Sequence, residues 1–248
     1  MDQAIKMEFK IIYEDNDVLV VDKPAGIVVF AEGEATTKIP SSLSSSGPFL
    51  INELIKYRPE IKNAGQEPRY GAVHRLDKDT SGILLVAKNN ESLIFLQKQF
   101  KNREIEKKYL ALATGIIKDD GGKVETFVGR SPADPRKQKA YLPGEKVPKG
   151  VREAVTEYKV LQRFQEYMLL EVIIKTGRKH QIRCHLTHIH HPVAGDKLYS
   201  FKDSPVPAGL TRQFLHASYL KIQLLNGQVK EFASELPEEL KTVLKSLN

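Results

Sequence analysis

Ten consecutive residues, Val73-His74-Arg75-Leu76-Asp77-Lys78-Asp79-Thr80-Ser81-Gly82, hold a His, an Arg, two Asp, a Lys, a Thr and a Ser. They lead into the apolar stretch 83–87, which reads as a buried strand, and a loop entering a buried strand holds catalytic groups rigidly at a cleft. A carboxylate there can serve as acid, base or nucleophile. The plainer reading is a polar turn in which Asp77 or Asp79 caps backbone amides. A second dense run is Thr176-Gly177-Arg178-Lys179-His180-Gln181-Ile182-Arg183-Cys184-His185. Gly177 suits a tight turn, and a strand-to-helix junction there would point amides at an anion. Five of the seven histidines fall between His180 and His191. Zinc has to be weighed, but the glutamate of an HExxH-type motif is missing and cations flank the cluster, so no metal is expected. Cys184 would need a base and a depressed pKa to act as a nucleophile, and a small side chain in a packed helix fits it better. A Walker loop and a dinucleotide fingerprint are both absent, so nucleotide cofactors are not indicated.

These groups must be positioned by a strand-heavy pattern. Residues 9–13 and 17–21 read as paired strands joined by Glu14-Asp15-Asn16, the second apolar enough to be buried on both faces. A short helix is expected around 52–57, and Asn90 is expected to cap a helix from about 91 to 102 with Leu93, Leu96 and Phe100 on one face. Residues 109–113, 155–161, 169–175 and 219–225 read as further strands. Residues 41–46 read as a loop and 133–150 as a longer basic excursion rich in Pro and Gly. Ser234 is expected to cap a closing helix whose Leu236, Leu240, Val243, Leu244 and Leu247 form one apolar stripe. The order is too irregular for a doubly wound fold, so the class is α+β: a mixed, mainly antiparallel sheet with flanking short helices. At 248 residues, one catalytic domain spanning 1–248 is expected, with 130–152 as its basic excursion and 234–248 as its terminal helix.

Charge narrows the partner. Lys and Arg number 38 against 31 Asp and Glu, a net +7. Residues 130–152 carry a local +5, 98–108 a local +3 and 175–183 a local +4, so the rest of the chain is at −5. Clustered cations on a mildly acidic body suit a phosphate backbone, because counterion release rewards the clustering. The bland alternative is a solvated charged face. Apolar runs stop at five residues, as in 83–87, so neither a membrane span nor a secretory leader is expected. A single cysteine, Cys184, excludes an internal disulfide, and a cytoplasmic setting is expected.

Residues 12–26 (IYEDNDVLVVDKPAG), HRLDKDTSG at 74–82, Lys108-Tyr109-Leu110-Ala111, TGRKHQIRCH at 176–185, HPVAGDKLY at 191–199 and Leu215-His216-Ala217 stand in that order. Together they resemble the RluA family of RNA pseudouridine synthases over about residues 10–226. The resemblance implies the pseudouridine synthase fold and isomerisation of uridine to pseudouridine in structured RNA, ribosomal or transfer, without cofactor or metal. It makes Asp77 the essential catalytic residue, with Tyr109 beside it and Arg183 as the cation that pairs with the catalytic carboxylate. Arg75 then enters the space of the flipped nucleotide and Leu215 walls the base. His74, Thr80, Arg178, His180 and Gln181 are expected to contact substrate or RNA, as are Lys137 and Lys139 of the basic excursion. A monomer is expected.

Elementary chemistry favours the same residue types. Breaking C1′–N1 builds positive charge on the sugar, which a neighbouring carboxylate can stabilise or attack. Tyr109 can relay the C5 proton or stack on the base, and its phenol, with an ordinary pKa near 10, is a poor base unless perturbed. Flipping the base costs a few kcal/mol, which phosphate contacts offset. Two departures from the family pattern concern local substrate contacts: Phe30 stands where a His is usual, and His190 precedes His-Pro where a small residue is common. The pattern starts within the first dozen residues, so an N-terminal S4 RNA-binding domain is not expected. The competing readings are an RNA chaperone with an idle pocket and a small-substrate hydrolase that would release free uracil.

Overall fold

A computed structural model describes residues 9–31 and 49–247; the loop expected at 41–46 lies outside them. Two compact units share the chain, one of residues 1–105 and 221–234, the other of 106–220 and 235–248.

In the first unit β1 (Lys10–Glu14), β2 (Val18–Lys23) and β3 (Ser81–Ala87) form an antiparallel meander, with Val20 opposite Leu85 and Asp22 opposite Ile83. The β1–β2 turn closes because Asp15 Oδ1 accepts from the amides of Asp17 and Val18, both at 2.8 Å. Val18 to Val21 and all of β3 are buried, as their unbroken apolar runs require. Helix α1 spans Leu50–Tyr57 and α2 spans Asn90–Asn102, with Leu93 and Leu96 buried. The α2 cap is Asn89, whose side chain accepts from Ser92 N, and not Asn90; Asn90 Oδ1 instead accepts from Gly65 N at 2.8 Å. The two neighbours have equal capping propensity, and the partner at Gly65 decides between them.

In the second unit β4 (Glu106–Thr114), β8 (Tyr167–Ile174), β7 (Arg152–Arg163), β5 (Gly121–Arg130) and β6 (Gln138–Tyr141) lie in that order with antiparallel neighbours. Strand β6 pairs with β5 inside the stretch expected to be an irregular excursion. Helix α3 is Gln181–His188. Strand β9 (Leu215–Gln223) begins in the second unit and ends in the first, where β10 (Val229–Ala233) pairs with it. Its Leu220 and Ile222 are buried while Gln223 is exposed, the alternation of a strand with one wet face.

Helix α4 (Glu238–Lys245) buries the anticipated stripe: Leu240 and Val243 pack with Leu112, Tyr167, Leu169, Ala194 and Phe214, and Leu236, Leu244 and Leu247 lie against that cluster. Its N-cap is Pro237 rather than Ser234. Ser234 Oγ donates to Asp22 Oδ2 at 2.8 Å, so the hydroxyl serves β2 and the helix starts four residues later.

Candidate active site

Asp77 lies in a tight turn between Leu76 and β3, and its carbonyl accepts from Thr80 N at 3.1 Å. Thr80, expected at the substrate, is buried in that turn. Upstream, His74 Nε2 accepts from Leu85 N at 3.0 Å and its ring stacks on Phe100 with centroids 5.0 Å apart. An acceptor Nε2 is deprotonated, so the imidazole is neutral here with its proton on Nδ1. Downstream, Lys78 O accepts from Gly26 N at 2.9 Å and from Lys23 Nζ at 3.0 Å. The segment is therefore tied to β3 on one side and to the turn after β2 on the other. Arg75 lies over the Phe30 ring, its guanidinium carbon 5.4 Å from the centroid, and Arg69 lies 5.0 Å from the same centroid. Phe30, the departure from the family pattern, is a buried π-face for two guanidiniums, a contact a protonated His could not make.

The second unit holds the remaining candidates. Tyr109 is buried on β4 opposite Val172 of β8. Arg183, on α3, is held by Asp196: Nε donates to Oδ2 at 2.6 Å and Nη2 to Oδ1 at 2.9 Å, with both residues buried. Asp196 Oδ1 also accepts from the amides of Leu198 and Tyr199. The Arg183 guanidinium is thereby fixed in orientation by two charge-assisted hydrogen bonds to one carboxylate. Its carbon lies 4.9 Å from the centre of the Tyr199 ring. The Tyr199 hydroxyl accepts from Gln138 N at 2.6 Å and meets His180 Nδ1 at 3.1 Å. Burial raises the Tyr199 phenol well above its ordinary value, so it stays protonated. Asp196 and Tyr199 were not among the sequence candidates, and only their place in the 191–199 run could have flagged them.

The turn before α3 is built differently from expectation. The left-handed residue is His180, at φ 53°, and not Gly177. Gln181 is buried and spent within the protein: Oε1 accepts from Thr176 Oγ1 and Arg178 N, while Nε2 donates to Val155 O and Thr156 Oγ1. Arg178 Nε donates to Glu153 O at 2.9 Å. Burial, and secondarily Arg178, brings the Lys107 ammonium down to about 8. Leu215 is buried at the start of β9. Lys137 and Lys139 sit over the rings of Tyr199 and Tyr141, 5.9 and 4.8 Å from their centroids. Neighbouring Arg136 is held by Asp134 at 2.8 Å, so part of the local charge is already compensated.

The histidine cluster divides. His185 is fully buried between Thr126 Oγ1, 3.0 Å from Nε2, and Thr156 Oγ1, 2.8 Å from Nδ1, and burial with a smaller effect of His188 brings it down to about 4. Burial pushes the Cys184 thiol up to about 12, in an apolar cluster with Val128, Ala140, Ala154 and Tyr199, which disfavours the nucleophile reading. Among the described residues, His, Cys, Asp and Glu do not converge in groups of three that could hold a metal ion. No helix of the described residues is long and apolar enough to cross a membrane.

The model of a family described as RNA pseudouridylate synthase matches residues 17–188. An RNA pseudouridine synthase of Aquifex aeolicus, itself uncharacterised, is 40% identical over 241 residues, covering 94% of this chain and 71% of that one. The ribosomal large subunit pseudouridine synthase D of Nitrosomonas europaea is 36% identical over 252 residues, 99% of this chain and 67% of that one. Among solved structures, human RNA pseudouridylate synthase domain containing 1 superposes with a TM-score of 0.71 at 26% identity, covering 96% of this chain and 87% of that one.

Proposed function

The chain belongs to the RNA pseudouridylate synthase family, and on that premise we propose that it isomerises specific uridines of structured RNA with Asp77 as the carboxylate at the reacting sugar. It is an RNA pseudouridine synthase, an isomerase. The observation that carries the assignment of residues is the family match over 17–188, which encloses Asp77, Tyr109 and Arg183.

In this reading the target uridine is flipped from the RNA stack into the site, with Arg75 entering the space it leaves and Leu215 against the base. The Asp77 carboxylate attacks or stabilises C1′ as the bond to N1 breaks, and uracil leaves as a delocalised anion that needs no acid. The ring turns, C5 bonds to C1′ and displaces the carboxylate from that carbon if it had attacked, and loss of the C5 proton with uptake of a proton at N1 restores the conjugated base. Nothing is added or removed overall, so no cofactor is needed. Arg183, oriented by Asp196, supplies the positive charge that favours the ionised carboxylate against desolvation. Tyr109 relays the C5 proton or stacks on the base. Ribosomal RNA is the first substrate to try, because several relatives carry a ribosomal large-subunit name, and transfer RNA is the second. An RNA substrate suits a cytoplasmic enzyme.

The test is to incubate purified protein with unmodified ribosomal and transfer RNA and map pseudouridine chemically at single-nucleotide resolution. New marks at defined positions are expected, and none with Asp77→Asn. An unmarked RNA pool with folded wild type would refute the assignment.

A further inference from the structure

Helix α3 stops through one left-handed residue. His190 N donates to Thr187 O at 3.0 Å and His191 N to Leu186 O at 2.8 Å, the pair of bonds that closes a helix in this way. The left-handed residue is His190, at φ 65°, where glycine would sit without strain. An imidazole kept at a strained position points to a task for the ring.

That task is not burial, because His190 is exposed. Its ring faces that of Phe201, with centroids 6.2 Å apart and planes 26° from parallel. Rings in full face-to-face contact would lie about 3.5–4 Å apart, so ring face is left over for a third planar group. Phe201 is itself 48% exposed. Its main chain is fixed all the same: N donates to Ser204 Oγ at 3.0 Å and O accepts from Ser204 N at 3.1 Å.

The surroundings are cationic. Lys197 and Lys202 are exposed, and among the described residues neither is paired with a carboxylate. Of the acids on the same stretch, Asp196 is taken by Arg183 and only Asp203 is exposed. Fixed aromatic faces beside free lysines suit an unpaired stretch of RNA, whose bases stack while its phosphates meet the ammoniums. The same scaffold carries Arg183: Asp196, which holds the guanidinium, accepts at its carbonyl from Ser200 N at 3.2 Å, and Thr187 Oγ1 donates to Tyr199 O at 3.4 Å.

We propose that His190 and Phe201 form a stacking platform for an unpaired base of the RNA substrate, separate from the residues that take the target uridine, with Lys197 and Lys202 meeting the adjoining phosphates. The platform selects RNA that offers an unpaired base near the modified position, and it takes no part in the bond exchange. The proposal rests on the reading in which the chain acts on RNA.

The experiment uses large-subunit ribosomal RNA and transfer RNA transcribed in vitro. Because the sequence contains no tryptophan, Phe201→Trp gives the chain a single indole that keeps the stacking face and reports on it. Its emission should be quenched as RNA saturates the protein, with Kd within about threefold of wild type. Phe201→Leu keeps an apolar side chain and removes the π-face, so Kd and KM should rise by about five- to a hundredfold, the worth of one stacked base. At saturating RNA its kcat should stay within about threefold of wild type. His190→Gly relieves the strained turn, so it should melt no lower than wild type and yet bind RNA more weakly. Unquenched emission from RNA-saturated Phe201→Trp overturns the proposal, as does wild-type Kd in Phe201→Leu or His190→Gly, or a loss confined to kcat. Wild type that binds RNA without making pseudouridine refutes the proposed function, and the quench and the Kd values then still decide the platform. Wild type that binds neither RNA refutes both.

Discussion

His185 shows how far one buried side chain departs from what its neighbours in sequence suggest. It sits among five histidines and beside Arg183 and Cys184, where a ligand or a base would be sought, yet its two ring nitrogens are engaged by Thr126 and Thr156 in the interior. Its folded value of about 4 is below the ordinary 6.5, so the folded state holds the ring neutral. As pH falls from about 6.5 to about 4 the unfolded chain takes up a proton that the folded chain refuses, and stability falls by roughly 3 kcal/mol over that window. Urea midpoints at pH 7 and pH 4 should fall less for His185→Gln than for wild type; equal falls would show that the ring does not titrate this way. Cys184, with its thiol near 12, should resist alkylation at pH 8 until the protein is unfolded, and labelling of the native protein at the rate of a free thiol would contradict its burial. Sequence pattern marked Asp77, Tyr109 and Arg183 through their motifs. The Arg183–Asp196 pair was not legible, because nothing in the spacing singles out an acid 13 residues away.

At the scale of elements, legibility followed the strength of the apolar pattern. Strands β2 and β3 were plain because Val18 to Val21 and residues 83–87 are unbroken apolar runs, and α4 was plain because its leucines recur at helical spacing. Strand β5 was missed: it opens on Gly121-Gly122, a turn signal, and alternates its few apolar residues with Lys, Glu and Thr. Strand β6 was hidden because four residues set in a Pro- and Gly-rich basic stretch read as loop, and only pairing with β5 makes them a strand. Caps failed where tertiary partners decided, at Asn90 and Ser234. Truncating the true cap, Asn89→Ala, should cost about 1 kcal/mol, and Leu240→Ala, at a fully buried position of α4, about 2–5 kcal/mol. Both are read from urea midpoints. A neutral Asn89→Ala would return the cap to Asn90, and a neutral Leu240→Ala would mean that α4 is not packed as described.

For the molecule as a whole, the net +7 proves less uniform than its three basic segments suggested. Arg136 is paired with Asp134, Lys175 with Glu157, Lys108 with Glu171 and Arg183 with Asp196, so the cations offered to a phosphate backbone are fewer than a count along the chain implies. Lys137 and Lys139 lie over tyrosine rings, and Lys137 is also felt by Asp134. Reversing both to Glu should weaken RNA binding and flatten the dependence of log K on log salt, by about one unit of slope for each phosphate that the variant no longer neutralises. An unchanged slope would mean that this hairpin does not meet RNA. The central claim is that Asp77 drives exchange of the C1′–N1 bond for a C1′–C5 bond, and that exchange releases the hydrogen at C5. Tritium release from RNA carrying [5-³H]uridine measures it most directly. Wild type should release tritium in step with pseudouridine formation and without free uracil, and Asp77→Asn should bind the RNA but release none. Free uracil without tritium release, or equal release from both proteins, would contradict it.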